Sequence, residues 1–292
     1  MAFARHETFY FRDGWLRKGI RMVQREGFQF FRRAEAPDEL GIGKNMVRAL
    51  KFWLQACRLV EPDYNDPKKE YKISTFGQSI LEYDKYFEDI GTLLLIHYQL
   101  VTNAEDSTTW NWFFNKFRYK EFDDQTFLYE LKKYTLINGM DVAENSLKKD
   151  FQCLMNTYLF ERYENSSHTP EDNLSCPLRE LRLLTRVGAK AYRLCSINKR
   201  LLDPLIVLYV LKDQFNKSDL PGLSISDLLE AENQVGRVFN FSYEDLIFYL
   251  DRLQEMGFIS IKRGPGLDRV VLKDISTGDI LQKYYLKSGD LM

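Results

Sequence analysis

From Lys44 onward the apolar residues Val47, Leu50, Leu54 and Cys57 recur at spacings of three, four and three, the repeat of a helix with one buried face. Lys44, Arg48, Lys51 and Gln55 recur on the other side, with Asn45 near the N-terminus, so the second face is expected to be polar and cationic. Such a helix needs a layer to pack on. Residues 37–40 suit a short helix before it, Gly41 and Gly43 allow a sharp turn, and residues 58–61 and 70–74 read as two strands after it. The loop between those strands carries Pro62, Pro67, Lys68 and Lys69, a basic wing. Short helix, turn, amphipathic helix and hairpin, in that order, predict a winged helix-turn-helix.

The same order recurs twice. Residues 124–134, a loop with Gly139, and a helix over 142–158 form the second copy; Leu147, Phe151, Leu154 and Tyr158 are its stripe, leaving Asn145, Lys148, Lys149, Gln152 and Asn156 outward. In the third, a helix over 204–215 and a short one over 226–230 precede a helix that Ser242 N-caps and Gly257 ends, then a hairpin over 258–272 whose turn includes Arg263. Aromatic-rich helices over 92–101 and 109–117 lie between, with Trp110, Trp112, Phe113, Phe114 and Phe117 expected to pack internally. The polar stretch 164–173 reads as a flexible link. The expected architecture is mainly α with short β-hairpins and multiple winged helix-turn-helix units. It falls into an N-terminal domain over 1–90, a helical middle domain over 91–163 and a C-terminal domain over 174–292.

A chain of 292 residues, 45% hydrophobic, is long enough for two or three separate cores. No apolar run approaches the roughly 18 residues of a membrane span, and the opening residues lack the apolar region of a signal peptide. A cytoplasmic protein without membrane contact is expected. Cys57, Cys153, Cys176 and Cys195 stand far apart with no CxxC pair, so reduced cysteines and no zinc clip are expected. Net charge is −1, which gives no global field toward nucleic acid, but the charge is uneven. Residues 1–60 hold 12 Lys and Arg against 6 Asp and Glu, whereas residues 61–180 hold 13 against 22.

Gly43-Lys44 invites comparison with a nucleotide-binding loop. That loop needs a glycine five positions before Gly43 and a serine or threonine after the lysine, and here Asp38 and Asn45 stand there. An acid facing phosphates would repel them. As a DNA-recognition helix the segment makes more sense: Asn45 and Arg48 suit adenine and guanine edges, and Lys44 and Lys51 suit phosphates. Lys68 and Lys69 of the wing, and Arg17, Lys18, Arg21 and Arg25 upstream, are further phosphate candidates. A solvated face in a domain that only packs or dimerises accounts for the same pattern, and both readings stay open here. His6, His97 and His168 are isolated and read as structural. No catalytic signature, metal-ligand spacing or cofactor loop stands out. The helix from Tyr243 carries Glu244, Asp245, Asp251 and Glu255 against Arg252, so it is expected to meet protein rather than DNA.

The blocks FARHETFYFRDGWLRKG, DELGIGKNMVRALKFW, ENSLKKDFQCLMNTY and CPLREL together resemble an uncharacterised bacterial and archaeal family, catalogued as a domain of unknown function, number four thousand and seven. The resemblance implies a setting beside sulfurtransferases of the phosphoadenosine-phosphosulfate-reductase type and cysteine desulfurases of DNA phosphorothioation systems. The expected role is then a non-enzymatic DNA-binding or adaptor component in DNA sulfur modification and phage defence. Its partners would be double-stranded DNA, a sulfurtransferase or other subunit of that machinery, and a second copy of the chain. A protein-interaction scaffold or a transcriptional regulator outside the modification complex is the alternative, and a nuclease or transferase with an unrecognised site is a third.

Overall fold

Apolar repeats of helical period bury each helix's stripe against its neighbours, and the protein is mainly α with short β-hairpins and small sheets. The computed structural model describes residues 2–68, 70–160, 175–218, 222–262, 264 and 268–289, the side chains of 288 and 289 aside. Lys69, the stretch 164–173 with His168, Arg263 and residues 265–267 lie outside the described residues. The chain divides into two units, Met1–Phe113 with Phe117–Cys195, and Phe114–Lys116 with Ser196–Met292.

In the first unit, α1 (Trp15–Glu26) buries Trp15, Leu16, Gly19, Ile20, Met22 and Val23. The short α2 (Ala36–Leu40) ends on Gly41, whose φ of 64° is left-handed and whose amide donates to the Asp38 carbonyl. Gly43 then enters α3 (Lys44–Ala56) in an extended conformation, so only Gly41 of the two uses the freedom expected of both. Gly19 brings α1 so close to α3 that a Cβ there would meet Leu50 and Leu54 at 2.9 Å.

Val47, Leu50, Leu54 and Cys57 are buried, and Lys44, Asn45 and Arg48 are exposed, as the periodicity predicts. The polar face ends sooner than expected. Gln55 is buried, its backbone carbonyl accepting from Asn103 Nδ2 at 3.3 Å, because the chain near Asn103 covers the last turn. Arg58, expected in a strand, instead takes a left-handed φ of 49° beyond the helix end. Its guanidinium donates to the Thr102 carbonyl and hydroxyl, each at 2.9 Å, and those bonds hold the turn. The hairpin follows as β1 (Val60–Pro62) and β2 (Tyr71–Ile73), antiparallel with Glu61 opposite Lys72.

Ser74 caps α4 (Thr75–Tyr83), and α5 (Ile90–Val101) is buried from Gly91 to Val101, as an all-round apolar helix must be. Next come α6 (Thr108–Asn115), β3 (Glu121–Phe122), α7 (Asp124–Ile137), α8 (Glu144–Tyr158), β4 (Leu159–Phe160), β5 (Leu184–Val187) and β6 (Ala191–Leu194). The strands form one sheet in the order β3-β6-β5-β4, parallel only between β4 and β5. Phe122, Phe127 and Phe151 cluster beneath it, with Phe127 and Phe151 ring centres 4.8 Å apart. Cys57, Cys153 and Cys176 are free and buried, and burial pushes the Cys176 thiol up to about 12.

The segment before α1 has no helix or strand, and Ala4, Glu7 and Thr8 all have positive φ. One carboxylate holds it. His6 and Asp150, each 1% exposed, meet with Nε2 at 2.8 Å from Oδ1, and the Ala4 amide donates to the same oxygen at 2.7 Å. The Thr109 hydroxyl donates to the other oxygen. His6 Nδ1 accepts from the Thr8 amide at 3.1 Å, which leaves the Nε2 proton for Asp150.

In the second unit, Asp203 caps α9 (Pro204–Asn216), which is buried from Leu205 to Leu211. Then come β7 (Leu223–Ser224), α10 (Ile225–Glu230), α11 (Val235–Val238), α12 (Tyr243–Glu255), β8 (Ile259–Lys262), β9 (Arg269–Leu272) and α13 (Thr277–Gly289). Ser224 and Ser242 each form a capping box, with Asp227 and Asp245, and Gly257 ends α12 at φ 78°. The sheet runs β7-β9-β8, and α9 packs against α11, α12 and α13.

Removing the Asp150 carboxylate strands three donors at once, those of His6 and Thr109 fully buried and that of Ala4 partly so. Asp150→Ala is expected to lower unfolding free energy by about 3 kcal/mol or more. Urea denaturation measures this, and a loss under about 1 kcal/mol would mean that the network holds nothing together.

Candidate nucleic-acid interface

The first turn of α3 has no acidic residue, and Gly43 supplies no side chain to cap it. The amides of Lys44, Asn45 and Met46 precede the first intrahelical bond, from Val47 to Gly43, so their partners must come from outside the helix. Backbone dipoles, the Lys44 ammonium and the Arg48 guanidinium thus add up to a positive helix start. Lys44, Asn45 and Arg48 are all exposed there.

Other candidates are placed differently. Arg48 lies 3.8 Å from Glu7, so a carboxylate sits at the edge of the cationic face. Lys51 is half-buried over the Phe28 ring at 5.4 Å, beside an Arg32–Glu70 pair at 2.6 Å. Burial holds its ammonium below the usual lysine range, with Arg32 adding to the effect. Lys51 therefore contributes less as a phosphate contact than its spacing suggests. Lys68 is exposed on the hairpin loop, where its amide donates to Asp66 at 2.9 Å. Lys18 reaches back to the carbonyl of Leu40 at 3.4 Å and steadies the end of α2. Arg25 is drawn to Glu26 and Glu39.

Arg17 and Arg21 stand two residues on either side of Gly19, the contact point with α3, and so lie on the opposite face of α1. There both approach Tyr86, a residue that the charge pattern does not single out. His97 is buried with Nδ1 2.7 Å from the Tyr158 hydroxyl, a structural position. Among the described residues no group of three or more His, Cys, Asp or Glu has a metal-holding arrangement, and no helix is long and apolar enough to cross a membrane.

On α12, Glu244, Asp251 and Glu255 are exposed; Asp245 pairs with Lys199 at 2.8 Å, and Arg252 with Glu255 at 3.2 Å. This face stays acidic. The one exposed arginine of the helix is already neutralised.

The model of a family described as "Protein of unknown function (DUF4007)" matches residues 3–285. Among solved structures, one described as "SspB crystal structure" is 25% identical, with a TM-score of 0.82, over 99% of this chain and 87% of that one. One described as "Magnesium ion-bound SspB crystal structure" is 24% identical, with a TM-score of 0.83 and the same shares of 99% and 87%. No curated protein matches the sequence.

Lys44 and Arg48 are the two exposed cations at the start of α3. Lys44→Ala with Arg48→Ala is expected to weaken duplex binding roughly tenfold or more at about 0.1 M salt and to flatten the salt slope by about 1, the share of Lys44. Fluorescence anisotropy over a salt series reads both, and an unchanged slope in the folded double variant would remove this face from the interface.

Proposed function

The chain belongs to the DUF4007 family, and on that premise we propose that it is a DNA-contacting adaptor of a DNA phosphorothioation and phage-defence system. One observation supports the DNA contact: Lys44, Asn45 and Arg48 stand exposed at a helix start whose first turn holds no acidic residue. The order α2, Gly41 turn, α3, β1–β2 hairpin supports reading this part as a winged helix-turn-helix, with α3 as recognition helix and the Lys68 loop as wing. In this role Arg48 and Asn45 read base edges while Lys44 and Lys68 touch phosphates. The name SspB on both similar structures supports the place in a sulfur-modification system.

The second unit takes the adaptor half of the role. Exposed carboxylates on α12 repel phosphates, so that unit docks a sulfurtransferase or another subunit of the machinery, or a second copy of the chain. In this reading the chain positions DNA for chemistry done elsewhere and acts as a non-enzymatic, cytoplasmic component.

The magnesium ion in one similar structure favours a second reading, a magnesium-dependent step on DNA. A single assay separates the readings: the purified full-length protein is incubated with supercoiled plasmid and Mg²⁺, and both mobility and topology are read on a gel. The proposal expects retarded plasmid that is still supercoiled. Nicked or linear product abolished by a point substitution would establish the second reading, and unretarded, uncut plasmid would leave a scaffold without DNA contact.

A further inference from the structure

Arg17 and Arg21 are one turn apart on α1, and their guanidinium carbons lie 5.3 and 5.8 Å from the centre of the Tyr86 ring. Lys85 places its ammonium 5.0 Å from the same centre. Three like charges thus crowd one aromatic ring that is 45% exposed. The attraction of each cation for the ring works against the repulsion among the three.

The neighbouring arginines of the N-terminal segment are drawn to carboxylates: Arg5 to Asp106, Arg25 and Arg33 to Glu26, Arg32 to Glu70. Arg17, Arg21 and Lys85 are in no ion pair among the described residues. Of the acids close by in sequence, Asp84 accepts from the amides of Glu88 and Asp89 at 3.2 and 3.0 Å and Asp89 from Gly91 at 2.7 Å, while Glu82 and Glu88 are exposed and pair with none of the three cations. Arg17 Nε is buried with no hydrogen-bond partner, a donor left without an acceptor. Charge and geometry both ask for an anion.

We infer that Arg17, Arg21, Lys85 and Tyr86 form a second binding site, and that its ligand is a single strand of nucleic acid. Cations that hold phosphates beside an exposed aromatic ring on which a base stacks are the pattern of single-strand binding. A duplex hides its base faces and has no use for the ring. The site is separate from α3. Gly19 meets Leu50 and Leu54, Arg17 and Arg21 point away from Gly19, and Arg48 points away from Leu50, so the two cationic faces look outward on opposite sides of the α1–α3 pair. Two helix diameters separate them by roughly 20 Å. A strand held at Tyr86 is therefore a different segment from the duplex read by α3, and this inference stands or falls independently of that reading.

The test uses the full-length chain and a fluorescein-labelled 20-nucleotide single strand, free and as a duplex, over a salt series. Five proteins are compared: wild type, Arg17→Ala with Arg21→Ala and Lys85→Ala, Lys44→Ala with Arg48→Ala, Tyr86→Ser and Tyr86→Phe, each checked for unchanged thermal unfolding. The α1 triple variant is expected to lose single-strand affinity tenfold or more and to flatten its salt slope by about 2. Tyr86→Ser should weaken single-strand binding severalfold, and Tyr86→Phe should retain it. Single-strand binding that is absent in wild type, or equal in wild type and the triple variant, overturns the site, even if duplex binding falls. The α3 variant reports separately: its loss on duplex alone supports the recognition helix and says nothing for Tyr86.

Discussion

The carboxylate of Asp150 accepts from His6, Thr109 and the Ala4 amide inside the first unit, and those bonds fix the start of the segment before α1. A buried carboxylate is tolerable only when its oxygens are fully used, so the network is all or nothing. Its donors come from residues 146, 144 and 41 positions away in the chain. Secured at that point, the segment runs in left-handed conformations at Glu7 and Thr8 and brings Glu7 to Arg48. The contact between Trp53 Nε1 and the Phe9 carbonyl at 2.9 Å ties the same segment to the buried side of α3. Thus the helix that carries the cationic face is braced on its core side and edged by an acid on its solvent side.

That arrangement gives the face its character. At the start of α3 the unpaired amides, Lys44 and Arg48 act together, while farther along Lys51 is drawn over Phe28 and Gln55 is covered. Positive potential is therefore concentrated in about one and a half helical turns, the part of a recognition helix that meets base edges. In the proposed DNA contact, Glu7 beside Arg48 would compete with any phosphate there, which would lower non-specific affinity and leave relatively more of the binding to base contacts. On the other unit the capped and acidic α12 has the same local order of elements and the opposite charge. Similar folding grammar serves different surfaces because the buried stripe sets the fold and the outward residues do not.

Much of this was readable in the sequence because helical period and capping chemistry are local. The stripe Val47, Leu50, Leu54, Cys57, the caps at Ser242 and Gly257, and the hairpins after α3 and α12 needed no long-range information. Whatever depended on distant partners stayed hidden. Gln55 kept the spacing of an exposed residue, yet Asn103 covers it; Arg58 looked like the start of a strand, yet Thr102 holds it in a turn. Strands as short as β3 and β4 show no alternation, so their sheet could not be seen. His6 was read as structural, but its partner Asp150 stood on a helix that the pattern marked only for its apolar stripe. Tyr86 was missed for a related reason: nothing in a single tyrosine between Lys85 and Phe87 signals that two arginines of α1 will reach it.

The amides of Lys44, Asn45 and Met46, which lack intrahelical partners, offer the most direct measurement of whether α3 meets DNA. Hydrogen exchange of the full-length protein, timed from milliseconds to minutes with and without a 20-base-pair duplex, reads them one segment at a time. DNA contact through α3 predicts slowed exchange over residues 43–48 and in the hairpin loop around Lys68, with α12 unchanged. Protection confined to the second unit, with the start of α3 exchanging as in the free protein, would contradict it.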